Sequence, residues 1–280
     1  MEDIVTGHSF ECGASGVTEA LAFSQPDLTY DPDILKVRAH DLDVYFQERP
    51  GCEFFDKLLE WVPRLKWEIV EEENKDWLAE WKKGFNPFSL VGPYWIVPSW
   101  HQAPPEARKP IFIDPGMAFG TGTHATTKMA SYFVHKMGQL VQPGKQYSLL
   151  DVGTGTAVLA MIARMEGVQR VLGVEIDPEA RRVARENLQL NHLLDIEISD
   201  TPLEKIDETF DFVVANIIDG ILIQLRDDLL QVLKPGGQIF LTGILLEREE
   251  EFFAEFIEKS NLKLVRRIEK DEWVGFWLRS

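Results

Sequence analysis

The chain has 280 residues, of which 45% are hydrophobic and 27% charged, a composition that excludes wholesale disorder and is long enough for two compact units. Its net charge of −17, with 19 acidic and 9 basic side chains in residues 1–100, disfavours nucleic acid and anionic lipid and suits a basic protein partner, although the charge could equally serve solubility alone. The two cysteines form no CxxC pair, the chain start lacks a signal-peptide profile, and no apolar run reaches the roughly 18 residues that span a bilayer, so we expect a cytoplasmic protein without metal or membrane contact.

Residues 1–70 are predicted to form a small α/β sandwich domain. The predicted elements are a strand near Val5–Phe10, a short helix around Gly13–Phe23, a strand in the alternating run Val37–Phe46, a helix, and a strand at Trp67–Val70. The helix is indicated by an apolar stripe of Phe54, Phe55, Leu58, Leu59 and Val62.

Residues 71–100 are interpreted as a connector between two domains. The segment opens with an acidic run, continues with a predicted helix carrying Trp77 and Trp81, and ends in a stretch dense in Pro, Gly and aromatic residues. Six of the eight tryptophans lie between Trp61 and Trp100, so we expect the connector to be packed. The tryptophans could fill an interdomain core or contact a substrate.

Residues 101–280 alternate strands with helices, which predicts a doubly wound parallel sheet. The predicted strands are Ser148–Val152, Arg170–Val174, Ile196–Ser199, Phe212–Ala215, Gln238–Thr242, Lys263–Glu269 and Val274–Arg279. The predicted helices are Thr123–Met137, Thr156–Met165, Pro178–Leu190, Gly220–Leu233 and Glu247–Lys259. The turn Lys234–Gly237 is interpreted as structural.

A glycine turn follows the first predicted strand of this sheet and marks the expected ligand site. The sequence Asp151-Val152-Gly153-Thr154-Gly155 places Gly153 and Gly155 where a backbone can approach a ligand closely. Nicotinamide and flavin enzymes use a related Gly-x-Gly turn, but they require a small residue where this chain has Val158. An acidic residue that opens the motif is typical of methyltransferases.

Acidic residues at the ends of the next two strands are candidates for binding a nucleoside. Glu175 could accept hydrogen bonds from both ribose hydroxyls, although dinucleotide enzymes place an acid there too. Asp177, ahead of Pro178, is better explained as a helix cap. Asp200 could contact an adenine amino group or cap a helix.

Two further features point to the reacting groups. Asn216 ends the fourth strand, where its amide could hold a substrate amine, or it could cap a turn. The loop before the sheet, residues 113–130, could fold over the ligand with Thr126 or Thr127 supplying a hydroxyl. His124 in this loop is a candidate general base, and a helix cap is the competing interpretation.

Taken in order, the motifs FGTGTHATT, DVGTGT, GVEIDPEA, VVANII and KPGG resemble the PrmA-type ribosomal protein L-11 methyltransferases. The upstream stretch NKDWLAEWKKGFNPFSLVGPYWIVPSW resembles the interdomain region of that family, and GASGVTEA matches its N-terminal domain more weakly. The chain departs from the family at Ala157 (often Gly), Ala125 (often Pro) and Glu175 (often Asp), and Asp219 stands where a small residue is expected.

The resemblance implies a substrate-recognition domain (1–70), a connector with a helix (71–100) and a Rossmann-like, seven-stranded methyltransferase domain (101–280). The implied enzyme transfers methyl groups from S-adenosylmethionine to lysine or N-terminal amines of a basic, L-11-type ribosomal protein. Because the chain is acidic and has no obvious apolar surface stripe, we expect it to be a monomer. The implied cofactor-binding residues are Thr127, Gly153, Gly155, Glu175 and Asn216, and Asn216 is also the catalytic candidate. Methylation of another substrate, nicotinamide oxidoreduction and inactive nucleotide binding are the competing hypotheses.

Overall fold

The computed structural model describes residues 2–20, 23–24, 33–34, 41–70, 84–114 and 119–280. The chain divides into two compact units, Met1–Lys75 and Asp76–Ser280. Within the described ranges, no helix is both long and apolar enough to cross a membrane.

The described residues of the first unit form two helices and two pairs of antiparallel strands. The elements are α1 (Glu2–Glu11), β1 (Ala14–Ala20), β2 (Phe23–Ser24), β3 (Asp33–Ile34), β4 (Asp41–Phe46) and α2 (Cys52–Trp61). Strand β1 pairs with β4, and β2 pairs with β3. The predicted apolar stripe of α2 is confirmed, because Phe54 and Leu58 are buried, and the ring of His8 in α1 stacks on Phe54 at 5.5 Å.

Three sequence-based assignments in the first unit are wrong. Val5–Phe10 is helical, and its Ser9 Oγ donates to the Val5 carbonyl. The packing of His8 on α2 outweighs the strand preference of the β-branched and aromatic residues in this segment. The predicted helix at Gly13–Phe23 is largely strand β1, which finds its hydrogen-bonding partner only in distant β4. Residues 67–70 form no strand and are exposed. Residues 37–40 and the helix with Trp77 and Trp81 lie outside the described residues.

The first sheet in the described part of the second unit has three strands, two of which lie inside the segment interpreted as a connector. Its strands are β5 (Phe88–Val91), β6 (Tyr94–Pro98) and β7 (Lys109–Ile113). Strands β5 and β6 form a hairpin around Gly92, whose φ is +51°, and β7 runs parallel to β6. Tyr94 and Ile96 are fully buried, so this aromatic-rich stretch contributes to the core of the second unit.

A seven-stranded sheet forms the centre of the second unit and confirms the predicted α/β fold. Its strands are β8 (Ser148–Val152), β9 (Arg170–Val174), β10 (Glu197–Ser199), β11 (Phe210–Asn216), β12 (Leu233–Leu245), β13 (Lys263–Lys270) and β14 (Trp273–Arg279). The spatial order is β10-β9-β8-β11-β12-β14-β13, with β14 antiparallel to both of its neighbours and the other pairs parallel. The strand order reverses between β8 and β11, and ligands bind in this fold at the carboxyl ends of such strands.

Helices cover both faces of the sheet. They are α3 (Ala125–Met137), α4 (Val158–Met165), α5 (Pro178–Leu190), α6 (Asp219–Gln224), α7 (Arg226–Gln231), and a final helical segment made of Glu249–Phe252, a π-turn Phe253–Ile257 and Glu258–Ser260. Successive strand residues point to opposite faces: Leu149 packs with α3, α4 and α5, whereas Leu150 packs with α6, α7 and the final segment. The two hydrophobic cores thereby hold the carboxyl ends of β8 and β11 in fixed positions.

Candidate functional site

The glycine turn after β8 has the left-handed backbone that its sequence predicts. The φ angles of Gly153 and Gly155 are +70° and +53°. An added Cβ at Gly153 would lie 2.8 Å from Cγ2 of Ile217, and one at Gly155 would overlap the carbonyl oxygen of Phe119. Ala157, the N-cap of α4, is also left-handed, with φ at +66°, which is a strained conformation for a residue with a Cβ. The turn therefore leaves no space for side chains at either glycine.

Asp151, at the end of β8, is a fully buried carboxyl group. One of its oxygens accepts hydrogen bonds from Thr154 Oγ1 at 2.7 Å and from the amide of Ala160 at 3.2 Å. The other oxygen, Oδ1, has no hydrogen-bond partner among the described residues. Burial raises the pKa of Asp151 to about 7, although both hydrogen bonds favour the ionised form. Asp151 therefore braces the turn from inside the sheet.

Glu175, after β9, faces the same turn. Its Oε2 accepts from the amide of Gly155 at 3.1 Å, and its Oε1 accepts from the amide of Asp177 at 3.2 Å. The next side chain, Ile176, is 87% exposed beside this carboxylate. Asp177 caps α5 by accepting from the amide of Glu179, as its position ahead of a proline predicts. A carboxylate and an exposed apolar side chain thus lie together at the end of β9.

Asp200, after β10, is largely exposed, and its carboxylate lies 3.6 Å from the guanidinium of Arg181. The short helix that follows it, Leu203–Lys205, begins at Pro202 without a side-chain cap. Arg181 also donates to the carbonyls of Glu175 and Ile176. Asp200 is therefore held beside the end of β9, and the capping role considered for it is absent from this helix.

Asn216, at the end of β11, is held from both sides of its amide. Its Nδ2 donates to Thr127 Oγ1 at 3.3 Å, and its Oδ1 accepts from Thr242 Oγ1 at 2.9 Å. Asn216 is 8% exposed, and the two threonines are buried. Thr127 lies in the first turn of α3, and Thr242 lies beside Asn216 on β12. The carbonyl oxygen retains one lone pair that could accept from a substrate.

The loop that precedes α3 packs onto the glycine turn. Thr156 donates its amide to the carbonyl of Phe119 at 3.1 Å and its hydroxyl to the carbonyl of Gly120 at 2.7 Å. The Phe119 side chain is more than half exposed. His124 is the N-cap of α3, since its Nδ1 accepts from the amide of Thr126, and its ring lies against those of Phe119 and Trp273. The geometry of His124 is thus that of a helix cap.

Asn187, in α5, connects the base of this loop to the turn. Its Oδ1 accepts from the amide of Asp114 at 2.9 Å, and its Nδ2 donates to the carbonyl of Thr156 at 3.1 Å. Asn187 is fully buried. Sequence analysis did not identify Asn187, because an asparagine inside an amphipathic helix gives no sign of distant partners.

A cleft at the carboxyl end of the sheet brings three of the sequence-predicted residues together. It is lined by Phe119, Gly120, Thr127, Gly153, Thr154, Thr156, Val158, Leu159 and Asn216. Gly155, on the glycine turn, and Glu175, which faces that turn from the end of β9, do not line this cleft. Thr242 was missed, although a polar residue after three apolar strand positions was an available signal. The described parts of the chain contain no cluster of side chains that could hold a metal ion.

Comparison with known proteins gives consistent matches along the whole chain. A family model described as ribosomal protein L11 methyltransferase (PrmA) matches residues 5–280. A ribosomal protein L11 methyltransferase of Pelobacter propionicus is 38% identical over 298 aligned positions, which cover all of this chain and 94% of the relative. Another, from Caldicellulosiruptor saccharolyticus, is 42% identical over 73% of this chain and 66% of the relative.

A solved structure has a similar fold. The crystal structure of a ribosomal protein L11 methylase from Lactobacillus delbrueckii subsp. bulgaricus superposes with a TM-score of 0.61 at 29% sequence identity. The match covers 69% of this chain and 98% of that one.

Proposed function

Because this chain belongs to the ribosomal protein L11 methyltransferase family, we propose that the cleft between β8 and β11 is its active site, where methyl groups pass from S-adenosylmethionine to amino groups of protein L11. Family membership confirms the resemblance carried by the order of the sequence motifs, and it makes the chain a protein methyltransferase. The observation that carries the assignment of the site is the meeting of Asn216, Thr127 and Gly153 in one cleft.

The residues around the glycine turn fit S-adenosylmethionine. Gly153 lines the cleft without a side chain, so the methionine portion of the ligand could approach its backbone, and Gly155 keeps the turn in its left-handed conformation. Each Glu175 oxygen accepts one protein hydrogen bond, so the carboxylate keeps lone pairs for the two ribose hydroxyls. The exposed Ile176 offers an apolar face to the adenine ring. Thr127 would act from the opposite side, through its contact with Asn216.

S-adenosylmethionine supplies an electrophilic methyl group on a sulfonium, so the chain needs only to align the amine of the substrate and to favour its uncharged form. For a lysine with a reference pKa of 10.4, losing the proton costs about 4.6 kcal/mol at pH 7. An apolar rim disfavours the ammonium form and lowers that cost. Phe119, Val158 and Leu159 line the cleft in this way, and none of its described lining residues is charged.

Asn216 is the residue proposed to orient the amine. Its side-chain amide cannot rotate freely, because Thr127 and Thr242 hold its two ends. The free lone pair of Oδ1 would accept an N–H of the neutral amine and direct the nitrogen lone pair into the cleft. The proton leaves to solvent, so no dedicated base is required. This agrees with His124 acting as a helix cap.

The part of the chain that precedes the methyltransferase domain is the candidate for recognising L11. We propose that residues 1–70 form the substrate-recognition domain, that 71–100 connect it to the methyltransferase domain at 101–280, and that the enzyme works as a monomer. The excess of acidic over basic side chains in residues 1–100, 19 against 9, supports a basic protein partner.

Intact-mass analysis of purified L11, before and after incubation with the enzyme and S-adenosylmethionine, tests the proposed function. Mass increases in methyl steps are expected, and peptide mapping then shows whether lysine or N-terminal amines are modified. Asn216→Ala should lower turnover at least roughly tenfold with little change in cofactor affinity measured by calorimetry. An unmodified L11 would refute the proposed reaction, and equal losses of turnover and affinity would reassign Asn216 to cofactor binding.

A further inference from the structure

Asp219 and Arg248 form an ion pair next to the proposed active site. Asp219 is the first residue of α6, three positions after Asn216, and is 5% exposed. Its Oδ1 accepts from Arg248 Nη1 at 2.9 Å and from the amide of Gly220 at 2.6 Å. Arg248 ends the short 3-10 turn Leu246–Arg248, which follows β12. The ion pair therefore joins the segment that leaves β11 to the segment that leaves β12.

The segment after β11 is fastened to β12 at two earlier points as well. Thr242 donates to Asn216, and the backbone of Gly243 lies so close to the carbonyl of Ile217 that an added Cβ would overlap it. Between these contacts and Asp219, the side chain of Ile218 is 63% exposed. The ion pair thus closes the far end of a short segment that begins with Asn216.

The pairing matters because Asp219 is nearly buried. A buried carboxylate without a partner is strongly destabilising, so loss of Arg248 would favour displacement of Asp219 toward water. Asp219 begins α6 directly after Ile218, so that displacement would move the segment carrying Asn216. The small side chain expected at position 219 from the family resemblance could not form this contact.

We propose that the Asp219–Arg248 ion pair is a positioning device that holds Asn216 and Ile218 in place for the incoming amine of the protein substrate. The inference rests on the proposed function of Asn216 and extends it to two residues outside the cleft. It requires that turnover depend on the ion pair while cofactor binding, on the β8 side of the site, does not.

The test compares Asp219→Asn, Arg248→Met and the double variant in L11 methylation. Each single change is expected to lower kcat roughly tenfold, as a small misplacement of a reacting group does, while the Kd for S-adenosylmethionine stays within about twofold of wild type. Both changes remove the same charge–charge interaction, since asparagine at position 219 leaves only a neutral oxygen opposite Arg248, so the double variant should lose little more than Arg248→Met alone. Arg248→Lys keeps the positive charge, so its kcat should be closer to that of wild type than to that of Arg248→Met.

Glu251→Gln is the matched control, because Glu251 is the other carboxylate partner of Arg248 and is exposed. It should keep wild-type kcat. Wild-type kcat in Asp219→Asn, or parallel losses of kcat and cofactor affinity, would overturn the inference.

A second measurement separates this inference from the proposed reaction, since it needs neither substrate nor turnover. In the ¹⁵N-labelled enzyme, the side-chain amide resonance of Asn216 should shift or broaden in Asp219→Asn and in Arg248→Met, but not in Glu251→Gln. An unchanged resonance in the first two variants would refute the positioning role, even if L11 proved not to be the substrate.

Discussion

Replacing Asp151 with asparagine should change how the stability of the enzyme depends on pH. Burial raises the pKa of this carboxyl from 3.8 to about 7 in the folded chain. Below pH 3.8 the group is protonated in both states and causes no penalty. Between pH 3.8 and 7 the unfolded chain ionises while the folded chain stays protonated, so the free energy of unfolding falls as the pH rises.

The size of the effect follows from the same two pKa values. At 1.36 kcal/mol for each pH unit, the penalty grows to on the order of 4 kcal/mol near pH 7 and stays constant above it. Asparagine does not titrate, and its carbonyl oxygen can still accept from Thr154 and from the amide of Ala160. Its amide nitrogen would take the place of Oδ1, which has no partner among the described residues, so a pH-independent loss is also expected.

Urea unfolding followed by tryptophan fluorescence, at intervals from pH 4 to pH 8.5, measures both contributions. The difference in unfolding free energy between Asp151→Asn and wild type should move by up to about 4 kcal/mol in favour of the variant as the pH rises to 7, and then level off. A difference that stays flat across this range would show that Asp151 has the same pKa in both states. That result would refute the argument from burial.

Three further changes test the contacts around the cleft. Thr242→Val removes the donor to Asn216 Oδ1 and should cost about 1 kcal/mol of stability in thermal unfolding, with kcat reduced and cofactor affinity kept; wild-type kcat would show that Thr242 does not orient Asn216. Gly153→Ala places a Cβ against Ile217 and should weaken S-adenosylmethionine binding at least roughly tenfold in calorimetry, and unchanged binding would remove the turn from the cofactor site. Asn187→Ala removes the hydrogen bonds that the Asn187 side chain makes with the amide of Asp114 and the carbonyl of Thr156, so we expect the free energy of unfolding in urea to fall by about 2–4 kcal/mol. A decrease below about 0.5 kcal/mol would contradict a stabilising role for these two hydrogen bonds.

The sequence predicted the second unit far better than the first. Strands β8 and β9 have the predicted bounds because buried parallel strands are continuous apolar runs that end at turn residues. The first unit depends on contacts between distant residues, such as β1 with β4, and its local patterns are short and ambiguous. Residues 88–98 carried an unused hairpin signal, since two short, mainly apolar runs of strand length flank Gly92-Pro93.

The site was predictable where a residue ends a strand, since the carboxyl ends of parallel strands meet at one edge of the sheet. Gly153 and Asn216 were found in this way, and Thr127 through the resemblance. Asn187 and Arg248 act through hydrogen bonds to residues 73 and 29 positions away, and nothing in their local sequence marks such partners. The individual roles of the site residues remain predictions for the variants above.

The position of the antiparallel strand β14 affects the order in which the strands of the sheet can pair during synthesis. It is the last strand of the sheet in chain order, yet it lies between β12 and β13, with Phe276 and Leu278 fully buried. During synthesis, β12 therefore has no partner on this side until β13 and β14 have both emerged, and its edge stays open to other strands in the meantime. The sheet of this methyltransferase is thus completed only after β13 has been made and β14 has inserted between β12 and β13.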